Sequence, residues 1–305
     1  MFHLDAFADR LFAGNPAAVC LLNAWLPVPV MQSIAAENRL SETAFVMRDT
    51  PVAGDPAGAG PYQLRWFTPT TEMPMCGHAT LAAAHVILTR LEPGADQVMF
   101  KTKGGPLRVQ RRPAPVRCDG TVSSSGQYLR LDLPHEPLTP RHPDSDEAAR
   151  LSAALGGLTP ARILAGSHDW YVLADSAEAV ANCRPDPVAL AALPPRAVAI
   201  ASLAHGAGVA QGADYVCRFF APRLGVDEDP VTGIAHAGIA PLIADALGRN
   251  RVEGLQLSAR RGRVWAEPTP GHVSLTGRVI EYSEGTIALS IADITAAASH
   301  LTAVA

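Results

Sequence analysis

Two stretches of the chain run apolar at helical length almost without interruption. Residues 78–91, HATLAAAHVILTRL, contain no Gly or Pro and are rich in Ala and Leu, the strongest helix formers. Gly77 precedes this run and Pro93-Gly94 stops it. Residues 232–247, TGIAHAGIAPLIADAL, repeat the pattern, with Gly248 as a C-terminal stop. Pro241, inside that run, is expected to kink or split the helix. Both runs are apolar nearly all round, which predicts burial rather than a surface position. Around them lie short β-type runs at 43–47, 62–67, 97–102, 128–133, 170–173, 215–220, 255–258, 273–275 and 286–290. A buried helix wrapped by mostly antiparallel strands, formed twice, is the α+β architecture these patterns predict.

The doubling is visible as self-similarity. Gly14-Asn15-Pro16 leads into an apolar run, and Gly166-Ser167-His168-Asp169 leads into another at an offset of 152. Arg65-Trp66-Phe67 is answered by Arg218-Phe219-Phe220 at 153, and Gly77-His78 by Gly233-Ile234 at 156. The segment 99–103, before Gly104-Gly105, is answered by 256–260 before Gly262 at 157. Four pairs in one order, with so little drift, imply a duplicated unit of about half the chain. Residues 51–60 and 112–127 read as loops, and 134–146, with four prolines, as the link between halves. The tail from 286 has a strand-like start and is expected to pack back on the first half. The expected lobes are 1–134 with 279–305, and 135–278.

Composition narrows the function. The 305 residues suit two domains at about 150 residues each. A net charge of −4 argues against a polyanion-binding surface, so no nucleic-acid partner is expected. No apolar run approaches the roughly 18 residues of a membrane span, so no membrane partner is expected and the protein reads as soluble. Asp5 and Asp9 stand where a secretory signal would carry positive charge. The five cysteines are too irregularly spaced for a disulfide framework or a zinc motif, so a reduced, cytoplasmic setting is expected.

Candidate chemistry gathers at the two helix starts. A helix N-terminus offers unpaired N–H groups and about half a positive charge, which suits a carboxylate. Cys76-Gly77-His78 and Thr232-Gly233-Ile234 let a ligand approach the backbone closely at their glycines. Duplication would bring the two starts together across a cleft, where a small acid could sit. His78 at a helix start is expected to stay neutral. Asp229 belongs to an acidic run, Asp227-Glu228-Asp229, that could equally be a solvated capping loop. Glu42 is a lone carboxylate entering an apolar strand. Residues 206–212 imitate a dinucleotide-binding loop, but a strand rather than a helix follows, so a hairpin-type turn is expected there. His78 and His85, seven apart, do not form a helical metal pair, and no metal is expected.

GNPAAV (14–19), LSETAFV (40–46), FTPTTEMPMCGHAT (67–80) and EDPVTGIA (228–235), in this order, resemble the PhzF-like phenazine-biosynthesis isomerases of the diaminopimelate epimerase superfamily. The resemblance spans nearly the whole chain. It implies two pseudosymmetric lobes, each a curled, mostly antiparallel sheet around a central helix, with the active site between them. It implies a cofactor-free, often homodimeric isomerase of secondary metabolism such as antibiotic biosynthesis, acting on a small carboxylic acid. Carried over by position, it makes Glu42 the general acid/base and His78 and Asp229 its polar partners. Asn15, Cys76, Gly77, Thr232, Gly233 and Ile234 are then expected to contact substrate. Such chemistry asks for a carboxylate in a dry pocket that both takes and gives a proton.

Two departures matter. The family commonly has Ser five residues after the aspartate, where this chain has Ile234. Cys76 stands where diaminopimelate epimerases and proline racemases carry a thiol, but 230–233 offers no second one, which disfavours a two-thiol racemase. An epimerase or dehydratase using the same cleft, and a non-catalytic acid-binding protein, remain the alternatives.

Overall fold

The computed structural model describes residues 1–49, 59–117, 120–123, 125–204, 208–290 and 292–295. The first half runs β1 (Phe2–Ala6), β2 (Asn15–Leu22), α1 (Val28–Asn38), β3 (Glu42–Arg48), β4 (Ala59–Phe67), β5 (Glu72–Met73), α2 (Gly77–Val86), β6 (Gln97–Thr102), β7 (Gly105–Arg112) and β8 (Tyr128–Pro134). The second runs β9 (Thr139–Arg141), α3 (Ser145–Ala154), β10 (Arg162–Ala165), β11 (Trp170–Leu173), α4 (Ala177–Asn182), α5 (Pro187–Ala191), β12 (Val198–Leu203), β13 (Tyr215–Ala221), β14 (Val226–Asp229), α6 (Gly233–Leu247), β15 (Val252–Gln256), β16 (Gly262–Thr269) and β17 (His272–Glu284).

Strand pairing reproduces the sequence repeat element by element. In the first half β1–β2 is antiparallel, β2–β3 parallel, β3–β4 antiparallel, β4–β6 parallel, and β6–β7 and β7–β8 antiparallel. In the second half β10–β11, β11–β12, β12–β13, β13–β15, β15–β16 and β16–β17 follow the same series of senses. The two terminal strands of the series, β8 and β17, pair antiparallel with each other, so the pseudo-twofold axis passes between them. Each then crosses over: β17 continues onto β1, and β9, following β8, pairs β10. Each sheet thereby curls closed, which leaves few exposed strand edges.

The central helices fill these curled sheets. Ala79, Leu81, Ala82, Ala83 and Ala84 of α2 and Ala235, Ala237, Ile239 and Ala240 of α6 are all fully buried. Both belong to one continuous core that includes Leu131, Leu133 and Leu275 from the shared strands. Small Ala side chains let the helix axes lie close to the surrounding strands, while the larger strand residues supply the volume. α1 covers β2 and β3 from outside through Val30, Met31 and Ile34. α3, α4 and α5 cover the second sheet through Leu151, Val180 and Leu190.

Several expectations change. Pro241 does not split α6, which runs as one element from Gly233 to Leu247. Buried Ala240 before it and Ile243 and Ala244 after it hold both sides in the core, offsetting the lost hydrogen bond. The 78–91 run ends in a wider turn, where the Glu92 N–H donates to the Ile87 carbonyl five residues back. Residues 286–290 are not a strand, because the β17 ladder ends at Phe2↔Glu284. Ile287 and Ile294 nevertheless pack against the α1 cluster of the first half. The 255–258 run forms its strand earlier, as β15. The 134–146 link contains β9. The 206–212 segment connects two antiparallel strands, β12 and β13, as a hairpin would; Gly206 and Ala207 lie outside the described residues, as do most of 51–60 and Cys118.

Candidate active site

The two central helices meet head to head. A Cβ placed on Gly77 would lie 3.9 Å from the Gly233 Cα, and one on Gly233 would lie 3.1 Å from Leu133 Cδ1. A side chain at Gly233 would press on the Leu133 methyl, so glycine keeps the approach free of adjustment there. The peripheral helices α3, α4 and α5 are capped by the side chains of Asp144, Ser176 and Asp186. Neither Cys76 nor Thr232 closes its own helix start with a side-chain hydrogen bond. Two adjacent positive helix ends thus face a cavity of about 630 Å³ between the halves. Glu42, Cys76, Gly77, His78, Asp229, Thr232, Gly233 and Ile234 all line it.

The first half supplies a carboxylate–imidazole pair. Glu42 opens β3 just after α1, whose end is turned by Arg39 in the left-handed region (φ 52°). Its Oε2 lies 3.0 Å from His78 Nε2, with side-chain exposures of 14% and 6%. That oxygen is buried and is held against the imidazole as its ion-pair partner. Cys76 Sγ lies 3.5 Å from His78 Nδ1. Burial pushes the Cys76 thiol up to about 11, and the Glu42 charge adds to this, so the sulfur is a neutral thiol near pH 7. Burial alone would depress His78, but the neighbouring sulfur and the Glu42 carboxylate outweigh it and raise the imidazole well above its ordinary range. With the thiol neutral, Glu42 is the charge that holds the proton. The neutral histidine expected from the helix dipole alone is therefore corrected: a contact carboxylate outweighs half a dipole charge.

The second half supplies Asp229. Asn15 Nδ2 donates to its Oδ1 at 2.8 Å and Thr232 Oγ1 donates to its Oδ2 at 2.5 Å. Burial, with the Glu42 charge acting in the same sense, pushes its carboxyl up to about 6 against the opposing effects of His78 and these hydrogen bonds. Asn15 does not line the cavity. It is fully buried and its amide nitrogen donates to Asp229 and the Val231 carbonyl. It acts on the site through Asp229, a correction to the expected substrate contact. Gly14 makes that placement possible, since its φ of +67° and a would-be Cβ only 2.2 Å from the Ala6 carbonyl oxygen exclude any side chain. Arg260 holds the turn from the other half through the Gly14 carbonyl and Asp5.

Gln256 was not legible as part of the site. Fully buried at the end of β15, it accepts the Thr232 N–H at 2.9 Å and donates to the Asp229 carbonyl at 2.7 Å. A glutamine closing β15 gave no distinct signal, since Glu253 is polar in the same strand, and only the fold aims it at 229–232. Gln256→Leu leaves these backbone groups unpaired, at a cost of about 1–3 kcal/mol. The expected outcome is a Tm lowered by several degrees and a kcat reduced more than KM changes, measured by calorimetry and steady-state kinetics.

Glu42, Cys76 and His78 each bring one potential ligand atom within 4.8 Å of the others, the described group best placed to take a divalent ion. The second half offers no matching thiol: the repeat puts Thr232 opposite Cys76 and Ile234 opposite His78. The proton-handling groups therefore come unequally from the two halves.

This fold and cleft have their counterparts in a family whose curated relatives include proteins named isomerases. The family model for phenazine biosynthesis-like proteins matches residues 4–284. An uncharacterized isomerase of Pseudomonas aeruginosa is 40% identical over 291 residues, covering 95% of this chain and 98% of that one. A crystal structure of a phenazine biosynthesis PhzF-family protein from Enterococcus faecalis superposes with a TM-score of 0.79 at 34% identity, covering 94% and 98% of the two chains. A predicted epimerase from Pseudomonas aeruginosa, at 23% identity and a TM-score of 0.68 over 95% and 99%, shares the fold. The chain belongs to the phenazine biosynthesis-like family. Among the described residues no helix is long and apolar enough to cross a membrane.

Proposed function

We propose that the protein is a cofactor-independent isomerase that shifts a proton within a small carboxylic acid, with Glu42 as general acid/base. The observation that carries this reading is the buried Glu42 carboxylate, 3.0 Å from His78 Nε2 and lining the cavity beside two uncapped helix starts. The substrate carboxylate sits at the N–H groups following Cys76 and Thr232. Glu42 takes a proton from a neighbouring carbon. The electron pair moves into the conjugated system toward that carboxylate, where the helix ends stabilise the developing charge. After its proton exchanges with solvent, Glu42 gives a proton to a different carbon. The raised His78 keeps a positive charge against Glu42, and Asp229, titrating near pH 6, exchanges protons at the opposite wall.

Proton counting in D2O tests this. Isomerisation places one deuteron on the carbon that gains hydrogen, whereas epimerisation places it on the carbon that lost one, and dehydration releases water. The Thr232 counterpart to Cys76 and the neutral thiol both weigh against a two-thiol racemase. Metal independence belongs to the same reading: turnover is expected to be unchanged within about twofold after exhaustive dialysis against EDTA. A chelator-sensitive, zinc-restored activity would instead assign the Glu42–Cys76–His78 group to a metal. The proposal extends to lobes of 1–134 with 279–305 and of 135–278, supported by the β8/β17 crossovers. It extends to a homodimer, to be read by sedimentation equilibrium, and to a reduced cytoplasm, where the buried free thiols of Cys20, Cys76, Cys183 and Cys217 would persist.

A further inference from the structure

We infer that the substrate carries a single anionic group and an apolar body, so that dicarboxylates and ring-hydroxylated acids are disfavoured. This rests on the proposed function for the placement of the carboxylate at the helix starts. The walls of the cavity carry the rest. Beyond the helix starts its lining includes the apolar Met73, Met75, Leu133, Phe219, Leu224 and Ile234; of the hydroxyl groups elsewhere on the wall, Thr68 bonds the Thr71 carbonyl and Ser167 bonds Glu136. Ile234 occupies the position that the repeat makes equivalent to His78, so where the first half presents a proton carrier the second presents a hydrocarbon. Met73 and Met75 add adaptable apolar surface.

The charged residues of the far rim balance in number. Arg196 forms a two-pronged pair with Asp169, Nε to Oδ1 at 2.9 Å and Nη2 to Oδ2 at 2.5 Å, and Asp169 is itself buried. Arg223 donates to the carbonyls of Leu193 and Pro194, both at 3.0 Å. Glu136 accepts the Ser167 N–H and adds a negative charge. Two arginines against Asp169 and Glu136 leave this rim no excess positive charge with which to receive a second carboxylate. A cavity of about 630 Å³ also has room for more than a compact single-ring acid.

Calorimetric titration of the full chain with anthranilate derivatives tests the inference without requiring turnover. Methyl and hydroxyl groups are compared at ring positions 3 and 5, beside the dicarboxylate 2-aminoterephthalate. At one position or both, the methyl compound is expected to bind at least about fivefold tighter than its hydroxyl counterpart, near the value of one buried methyl group. The dicarboxylate is expected to bind at least about tenfold weaker than anthranilate. Ile234→Ser is expected to shrink the methyl preference to within about twofold; Ile234→Val, which keeps an apolar wall, is expected to retain it. A dicarboxylate that matches or exceeds anthranilate, a hydroxyl preference in the wild type, an unchanged ratio in Ile234→Ser, or no binding of any derivative at millimolar concentration would overturn the inference. Because binding is read directly, preferences that hold while Glu42→Gln retains full turnover would sink the proposed function and leave the substrate class standing.

Discussion

Glu42→Gln is expected to lower kcat by about 10³-fold, within the range that a positioned general acid/base contributes, while the dissociation constant for an acid ligand stays within a few-fold of wild type. Gln keeps the shape of the side chain and its place at the start of β3, so the fold has no reason to change. What it loses is the ability to take a proton. Removing the negative charge also takes away the partner 3.0 Å from His78 Nε2, so the imidazole should fall back toward its ordinary range, visible by NMR titration of the ring. Binding survives because the carboxylate is held by the helix starts and not by Glu42. Ligand affinity lost together with turnover would mean that residue 42 shapes the pocket rather than performs the chemistry. Turnover close to wild type would remove it from the mechanism.

Asp229→Asn is expected to reduce kcat about 10²-fold yet gain stability relative to wild type as pH rises. The folded value of Asp229, about 6, stands above its ordinary 3.8, so the folded protein binds this proton more tightly than the unfolded chain does. The associated stabilisation is complete below about pH 4 and is lost as pH rises through 6. The Asn variant has no such loss. The difference in Tm, variant minus wild type, should therefore grow between pH 4 and pH 8 by about 2–4 °C, or about 1 kcal/mol. That is below the limit of about 3 kcal/mol set by a shift of about two units at about 1.4 kcal/mol each, because the carboxylate lines a cavity that solvent enters. The wild-type profile of kcat/KM should show an inflection near pH 6 that the variant lacks. A Tm difference independent of pH would mean that Asp229 is ionised in the folded protein throughout that range.

The repeat was legible because its offset barely drifts, and the pairing series of the two halves follows it strand by strand. The buried helices were legible because Ala and Leu run through 78–91 without a polar face. The outer helices were not: α3 to α5 each bury only a few apolar residues, too few for a periodic signal. Asp144 followed by Glu147 was nevertheless a readable helix start, and Asp144 does cap Glu147. Motif order brought Glu42, Cys76, His78, Asp229 and Ile234 to attention, and all line one cavity. Two features needed three dimensions. Asn15 turns inward to Asp229 because the GNP turn is clamped by Arg260, a contact across 246 positions. The charge of His78 depends on a carboxylate 36 residues away that no helix-dipole argument from sequence can see.

The central claim is that opposed helix starts hold an acid beside Glu42. It is tested most directly by a crystal structure of Glu42→Gln with 3-methylanthranilate bound. The account predicts the ligand carboxylate at the N–H groups following Cys76 and Thr232, with a ring carbon within about 3.5 Å of the residue 42 carboxamide, the separation of a near-attack geometry. A ligand seated outside the cavity at the helix starts, or residue 42 turned away from it into solvent, would contradict the account.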